Sequence, residues 1–158
     1  MKPDFFELFR ALDGAEVEHV VVGGVAAILE GAPIATLDLN IVYRPDRNNL
    51  HHFVTLLEKL EAHYRDPAGR EIRPTIDRLE NNEINLLDTN LGPLDAMQRI
   101  GANWWSWDDV VERSHVVQVG GLEVRVLDLA SIIESKLVAD RDKDRAMLPV
   151  LRRTLEEK

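Results

Sequence analysis

Between residues 23 and 43 the chain reads GGVAAILEGAPIATLDLNIVY. A glycine pair closes the short β-branched run over residues 17–22, and a second apolar run opens at Thr36. In that second run Leu37, Leu39, Ile41 and Tyr43 alternate with Thr36, Asp38, Asn40 and Val42, which is the period of a strand. Side chains two residues apart share a face. Asp38 and Asn40 are therefore expected on one face, with the leucines on the other. The segment predicts a strand over 17–22, a glycine turn, a compact helix closed by Gly31 and Pro33, and a second strand over 36–43.

The flanks extend this α/β pattern. Phe5, Leu8, Phe9 and Leu12 fall on one helical face, so a helix is predicted over 3–13, with Pro3 at its start and Gly14 at its end. Downstream, Leu50, Phe53, Leu56, Leu57 and Leu60 form the clearest apolar stripe in the chain. Residues 64–82 are polar, with Pro67, Gly69 and Pro74, and read as a loop holding a short helix at 74–81. EINLLDTNLGPLDAM predicts one or two short strands broken at Gly92-Pro93. SWDDVVERS predicts a helix capped by Ser106 with Asp109 at its third position. HVVQVGGLEVRVL reads as a hairpin turning at Gly120-Gly121, and two helices follow near 128–140 and 142–157, the second carrying Pro149. Neither a repeat nor a linker interrupts the 158 residues, so one domain over 1–158 is expected.

Composition narrows the function classes. Apolar residues make up 45% of the chain, enough for a packed core. With no cysteine, disulfides and thiolate metal sites are excluded, and a reducing, cytoplasmic setting fits. MKPDFFELFR is charged and amphipathic, unlike a signal peptide, and no apolar run is long enough for a membrane span. A net charge of −9 opposes general binding to phosphate backbones. The richest local basic segment, with Lys136, Arg141, Lys143, Arg145, Arg152 and Arg153, reads first as a solvated helix face.

Chemistry concentrates around the opening stretch. Glycines after a strand free backbone N–H groups for a phosphate, and a carboxylate on the neighbouring strand suits Mg²⁺. The plainer alternatives are that the glycines only turn the chain, and that Asp38 and Asn40 satisfy backbone groups near a strand edge. His51 and His52 are adjacent on a helix and do not converge on one metal, while His19 and His115 read as polar strand-end residues. Trp104, Trp105 and Trp107 fit core packing, or, where exposed, a partner surface.

The order of these pieces carries more than any one of them. Gly23-Gly24-Val25-Ala26, Gly31, Pro33, Thr36, Asp38-x-Asn40 and Asn49-Leu50 resemble the nucleotidyltransferase superfamily, whose motif is a glycine pair followed about a dozen residues later by Asp-x-Asp or Asp-x-Glu. The closer likeness is to the bacterial branch related to AbiEii toxins. NLLDTNLGPLDAM resembles the stretch that brings the family's third carboxylate, which points to Asp95 ahead of Asp88. SKLVADRDKDRAM resembles the family's C-terminal motif, filled here by Lys136, Ala139, Arg141, Lys143 and Asp144.

The resemblance implies a minimal nucleotidyltransferase fold, with a small mixed sheet, flanking helices and a C-terminal helical pair. It also implies an NTP substrate, Mg²⁺ or Mn²⁺, a protein or RNA hydroxyl as acceptor, and a toxin–antitoxin or phage-defence setting with a protein partner or a homodimer. Asp38, Asn40 and Asp95 would be the metal set and, with Lys136, the catalytic set. Gly23, Gly24, Thr36, Lys136, Arg141, Lys143 and Asp144 would serve the nucleotide. Asn40 departs from the pattern, because an amide oxygen ligates a hard cation without net charge. Ile34 and Leu37 stand where basic residues are usual. Weakened metal binding or lost catalysis follows, and a non-catalytic module of the same fold is the rival expectation, as is an unrelated α/β domain with Asp38 and Asp95 far apart.

Overall fold

The computed structural model describes residues 3–101, 104–139 and 141–158. Helix α1, Phe5–Gly14, is capped by the Asp4 carboxylate and buries Leu8, Phe9 and Leu12 of the predicted stripe, with Phe5 half-buried. Strand β1 is His19–Val22, two residues shorter than predicted. Helix α2, Gly23–Leu29, begins at the glycine pair itself, so the glycines form its first turn and not a turn before it. Strand β2 is Leu39–Tyr43. Thr36, Leu37 and Asp38 precede it without strand structure and Leu37 is 74% exposed, so the strand expected from residue 36 begins three residues later. The strand ladder begins only at Leu39, so alternation does not govern the residues before it.

Helix α3, Arg47–Lys59, carries the long apolar stripe, and β3, His63–Tyr64, is a two-residue strand that the polar loop concealed. After α4, Ile76–Asn81, come β4, Ile84–Thr89, and β5, Gly92–Met97. Helix α5, Trp107–Glu112, has the predicted capping box of Ser106 and Asp109. The predicted hairpin is β6, Ser114–Val119, with β7, Leu122–Leu127. Helices α6, Leu129–Ala139, and α7, Asp142–Glu156, end the chain; residue 140 lies outside the described residues. None of the described helices is long and apolar enough to cross a membrane.

One mixed sheet organises these elements in the order β3-β4-β5-β2-β1-β7-β6. The β2–β5 and β1–β7 pairs are parallel, and the others are antiparallel. Leu39, Ile41 and Tyr43 project to one face of β2, where the Tyr43 ring packs 5.5 Å from Phe53 of α3. Asn49, the motif residue at the start of α3, is buried and clips the two central strands together. Its Oδ1 accepts from Glu18 N at 2.7 Å, and its Nδ2 donates to Glu18 O at 3.0 Å and Arg44 O at 2.9 Å. Helix α6 packs on both α2 and α7, which brings the C-terminal pair against the glycine-led helix.

Candidate functional site

The register of the sheet builds the site. Asn40 stands opposite Val22 on one side and opposite Asp95 on the other, and Asp95 in turn faces Leu86. Paired residues point to the same face, so Asn40, Asp95 and Leu86 form a row across β2, β5 and β4. Just outside the strand, Asp38 reaches the same place: its carboxyl lies close enough to that of Asp95 for each to shift the other's ionisation. Thr36 Oγ1 donates to Asp38 Oδ1 at 3.2 Å. The residues predicted to hold a metal therefore adjoin one another, whereas an unrelated α/β domain would have left Asp38 and Asp95 apart.

Glycine is required where α2 begins. Gly23 has φ of +67°, and a Cβ there would lie 2.6 Å from Asn40 Nδ2. At Gly24 a Cβ would meet Thr36 Cβ at 3.0 Å and Oγ1 at 3.1 Å. The two glycines thus bring the first turn of α2 against the polar pair on the next strand. The Asn40 Oδ1 atom is buried and has no hydrogen-bond partner.

The two carboxyls ionise differently. Burial pushes Asp95 up to about 6, helped by its hydrogen bond to Asp38 and opposed by the Arg65 guanidinium. Burial also opposes ionisation of Asp38, but hydrogen bonds from Asp95 and Thr36 outweigh it and hold the pKa below the ordinary carboxylate value. Like charges so close cannot both ionise freely; Asp38 carries the charge and Asp95 retains the proton longer.

Sequence reasoning missed Arg65. It follows β3, and its backbone N donates to Leu86 O at 3.0 Å. Its Nη2 contacts Asp95 Oδ1 and donates to Leu87 O at 3.2 Å, and its Nε lies 3.5 Å from Asp88. No sequence signal pointed to it, because the loop that carries it has no helical or strand period of its own.

The C-terminal set forms a second cluster. Asp144 is fully buried, with Lys136 Nζ at 3.2 Å, Arg141 Nε at 2.6 Å and Arg141 Nη2 at 3.3 Å. Lys136 is only 13% exposed and Lys143 sits exposed on the first turn of α7. Among the described residues no hydrogen bond or ion pair joins these side chains to Asp38 or Asp95, although α6 packs on the glycine-led α2. Two other basic residues of this region form ion pairs, Arg145 with Asp142 and Arg153 with Glu157 at 3.2 Å. Histidines stay outside the site: His115 Nε2 meets Glu30 at 2.7 Å, and the Val17 carbonyl faces His19 Nδ1 at 2.8 Å. Trp105 is buried beneath Arg113, at 4.0 Å from its ring centroid, whereas Trp104 is 52% exposed.

Among the described residues, no group of three or more His, Asp and Glu side chains is arranged to hold a metal. Asp38 and Asp95 supply two adjoining carboxylates, and Asn40, in register with Asp95, adds an amide whose Oδ1 is buried and unpartnered. All-oxygen donors of this kind suit Mg²⁺ or Mn²⁺.

No protein-family model matches the chain, and no curated protein sequence is significantly similar to it. Solved structures are similar. LnuA, a lincosamide antibiotic adenylyltransferase with lincomycin bound, aligns with TM-score 0.65 and 11% identity, covering 94% of each chain. ANT(2'')-Ia in complex with adenylyl-2''-tobramycin aligns with TM-score 0.61 and 13% identity, over 96% of this chain and 87% of that one. The Thermotoga maritima protein TM1012, assigned provisionally to the nucleotidyltransferases, gives TM-score 0.59 and 17% identity over 98% and 91%. At such identities the likeness is one of fold: this chain has the nucleotidyltransferase fold.

Proposed function

We propose that the chain is a Mg²⁺- or Mn²⁺-dependent nucleotidyltransferase of reduced activity that moves the NMP unit of an NTP onto a hydroxyl. The observation that supports this most is the buried, unpartnered Asn40 Oδ1, in register with Asp95 and against the glycine-led helix. Asp38, Asp95 and Asn40 are the residues that would hold the ion. Such an ion neutralises triphosphate charge and acidifies a hydroxyl. In the transfer, the acceptor oxygen attacks the α-phosphorus and the bond to the pyrophosphate leaving group breaks. The hydroxyl proton is assigned to the Asp95 carboxylate, which stands in register with Asn40 at the site. Backbone N–H groups at Gly23 and Gly24, with Thr36 beside them, are assigned to the β and γ phosphates. Lys136 is assigned a point charge near them, with Arg141 and Asp144 bracing it and Lys143 serving the nucleotide.

A neutral amide in place of a carboxylate weakens metal binding, and a disturbed partner even outside the ligand set costs roughly 10- to 100-fold. The AbiEii-like motifs favour a protein or RNA hydroxyl as acceptor, a toxin–antitoxin or phage-defence setting in the cytoplasm, and a cognate partner protein or a second copy of the chain. LnuA and ANT(2'')-Ia act on antibiotics, so small-molecule hydroxyls belong in the same acceptor panel. The rival reading, a non-catalytic module, draws on Asn40 together with the Arg65 contact on Asp95. Calorimetric titration with ATP and Mn²⁺, followed by label transfer from α-labelled NTPs, separates the readings. Heat of binding and labelling that rise in Asn40→Asp support transfer. Binding without label in either protein supports the module. No heat at millimolar ATP in either protein sinks the nucleotide assignment.

A further inference from the structure

We propose that the Arg65 guanidinium is the resident counter-cation of the Asp38–Asp95 pair and competes there with a divalent ion. The proposal rests on the reading of that pair as a cation site. Asp95 is only 13% exposed, and its carboxyl is shared between Asp38 and Arg65 Nη2. With Asn40 neutral, the pair and Arg65 sum to one negative charge, whereas the pair alone carries two when fully ionised. Arg65 therefore offsets the charge that would attract a divalent ion and engages the oxygen that would ligate it.

Two features allow the exchange. The guanidinium has further acceptors in place, because Asp88 lies 3.5 Å from Nε and Leu87 O accepts from Nη2 at 3.2 Å. Releasing Asp95 leaves the arginine with charged and neutral partners, so it is not stranded. The backbone at Arg65 is fixed independently by its bond to Leu86 O, so the side chain alone has to move. Arg70, on the same loop, pairs instead with Asp66, its Nε 2.8 Å from Oδ2, and provides a matched charge engaged by a different carboxylate.

The test is Mn²⁺ affinity, read from the free-ion paramagnetic resonance signal, for the intact chain and its Arg65→Gln, Arg65→Lys and Arg70→Gln variants. Arg65→Gln is expected to bind Mn²⁺ about tenfold more tightly or better, the scale on which an adjacent charge acts on a carboxylate. Arg70→Gln is expected to change affinity less than about twofold, since exposed charges are screened by solvent. Adding Asp38→Asn to Arg65→Gln is expected to remove the gain. Arg65→Lys keeps the charge without the fork and should fall between the intact chain and Arg65→Gln, which also covers any folding defect in the glutamine variant. Equal affinity in the intact chain and Arg65→Gln, or equal gains in Arg65→Gln and Arg70→Gln, overturns the competition and leaves the cation site standing. Failure of every variant, Asn40→Asp included, to bind Mn²⁺ overturns the site and the competition together.

Discussion

Asn40 and Asp95 face each other across neighbouring parallel strands, and the amide oxygen of Asn40 has no hydrogen-bond partner although it is buried. An unpaired buried acceptor costs about 1–3 kcal/mol. Supplying charge at that position has a defined consequence. Asn40→Asp puts a third carboxylate beside Asp38 and Asp95, so Mn²⁺ affinity is expected to rise at least about tenfold. Without metal the same variant is expected to be less stable than the parent, because like charges at this spacing repel. Titration calorimetry and thermal melts with and without Mn²⁺ check both signs; an unchanged metal affinity would remove Asn40 from the site.

The acid pair gives the protein a pH signature. Burial raises Asp95 to about 6 from an ordinary 3.8, so the folded state binds a proton more readily than the unfolded chain between those values. By linkage, the Asp95 contribution to stability is present below pH ~4 and lost as pH rises toward 6. Asp38 has the opposite sign: its folded pKa is lowered, so its contribution holds above its unfolded value and is lost as pH falls through the folded one. Asp95→Asn should therefore flatten the decline in melting temperature between pH 4 and 6 relative to the parent. A decline of equal size in both proteins would assign the effect to other groups.

Gly23 and Gly24 separate backbone conformation from space. Gly23→Ala forces a side chain into φ of +67° and places its Cβ 2.6 Å from Asn40 Nδ2. A strained residue in this region costs on the order of 1–3 kcal/mol before the clash is counted. Gly24→Ala has ordinary backbone and meets Thr36 Cβ at 3.0 Å, which a small shift of the threonine relieves. Chemical denaturation is expected to rank the losses Gly23→Ala above Gly24→Ala. The reverse order would mean that α2 does not press against Asn40 as described.

Legibility in the sequence tracked how local each signal was. The α3 stripe, the Ser106–Asp109 capping box and the hairpin at Gly120-Gly121 rest on residues a few positions apart, and each was readable. Leu37 was misplaced because alternation extends a strand that hydrogen bonding begins only at Leu39. Strand β3 was invisible because two residues carry no period. The pairing of Asn40 with Asp95 is a matter of register between distant segments, and only the family resemblance had singled out Asp95. Arg65 reaches the site through long-range pairing of β3 with β4, for which its own segment gives no pattern.

Asn49 offers a test of the frame that holds the site. Its amide satisfies Glu18 N, Glu18 O and Arg44 O, at the ends of β1 and β2 remote from Asp38. Asn49→Ala leaves these backbone groups with no partner from α3, at about 1–3 kcal/mol for each that stays dry. A loss of about 3 kcal/mol in urea unfolding, with Mn²⁺ affinity of the folded protein unchanged, is expected. A coupled loss of metal binding would show that the two ends of the strands are not independent.

Lys136 and Asp144 decide whether the C-terminal helices only brace the fold or also serve the nucleotide. Asp144 is fully buried, and its pKa is held low by Arg141 and Lys136 against the opposing effect of burial. Asp144→Asn leaves a nearly buried Lys136 without its counter-charge and is expected to cost about 3 kcal/mol. Lys136→Met is gentler, because Asp144 retains three hydrogen bonds from Arg141, and about 2 kcal/mol is expected for the lost charged hydrogen bond. Stability alone does not separate the roles, since either one predicts a loss. ATP affinity does: a phosphate-facing Lys136 predicts weaker ATP binding in Lys136→Met under conditions where the variant is fully folded, with Mn²⁺ affinity unmoved. Unchanged ATP affinity in that variant would confine Lys136 to holding α6 against α7.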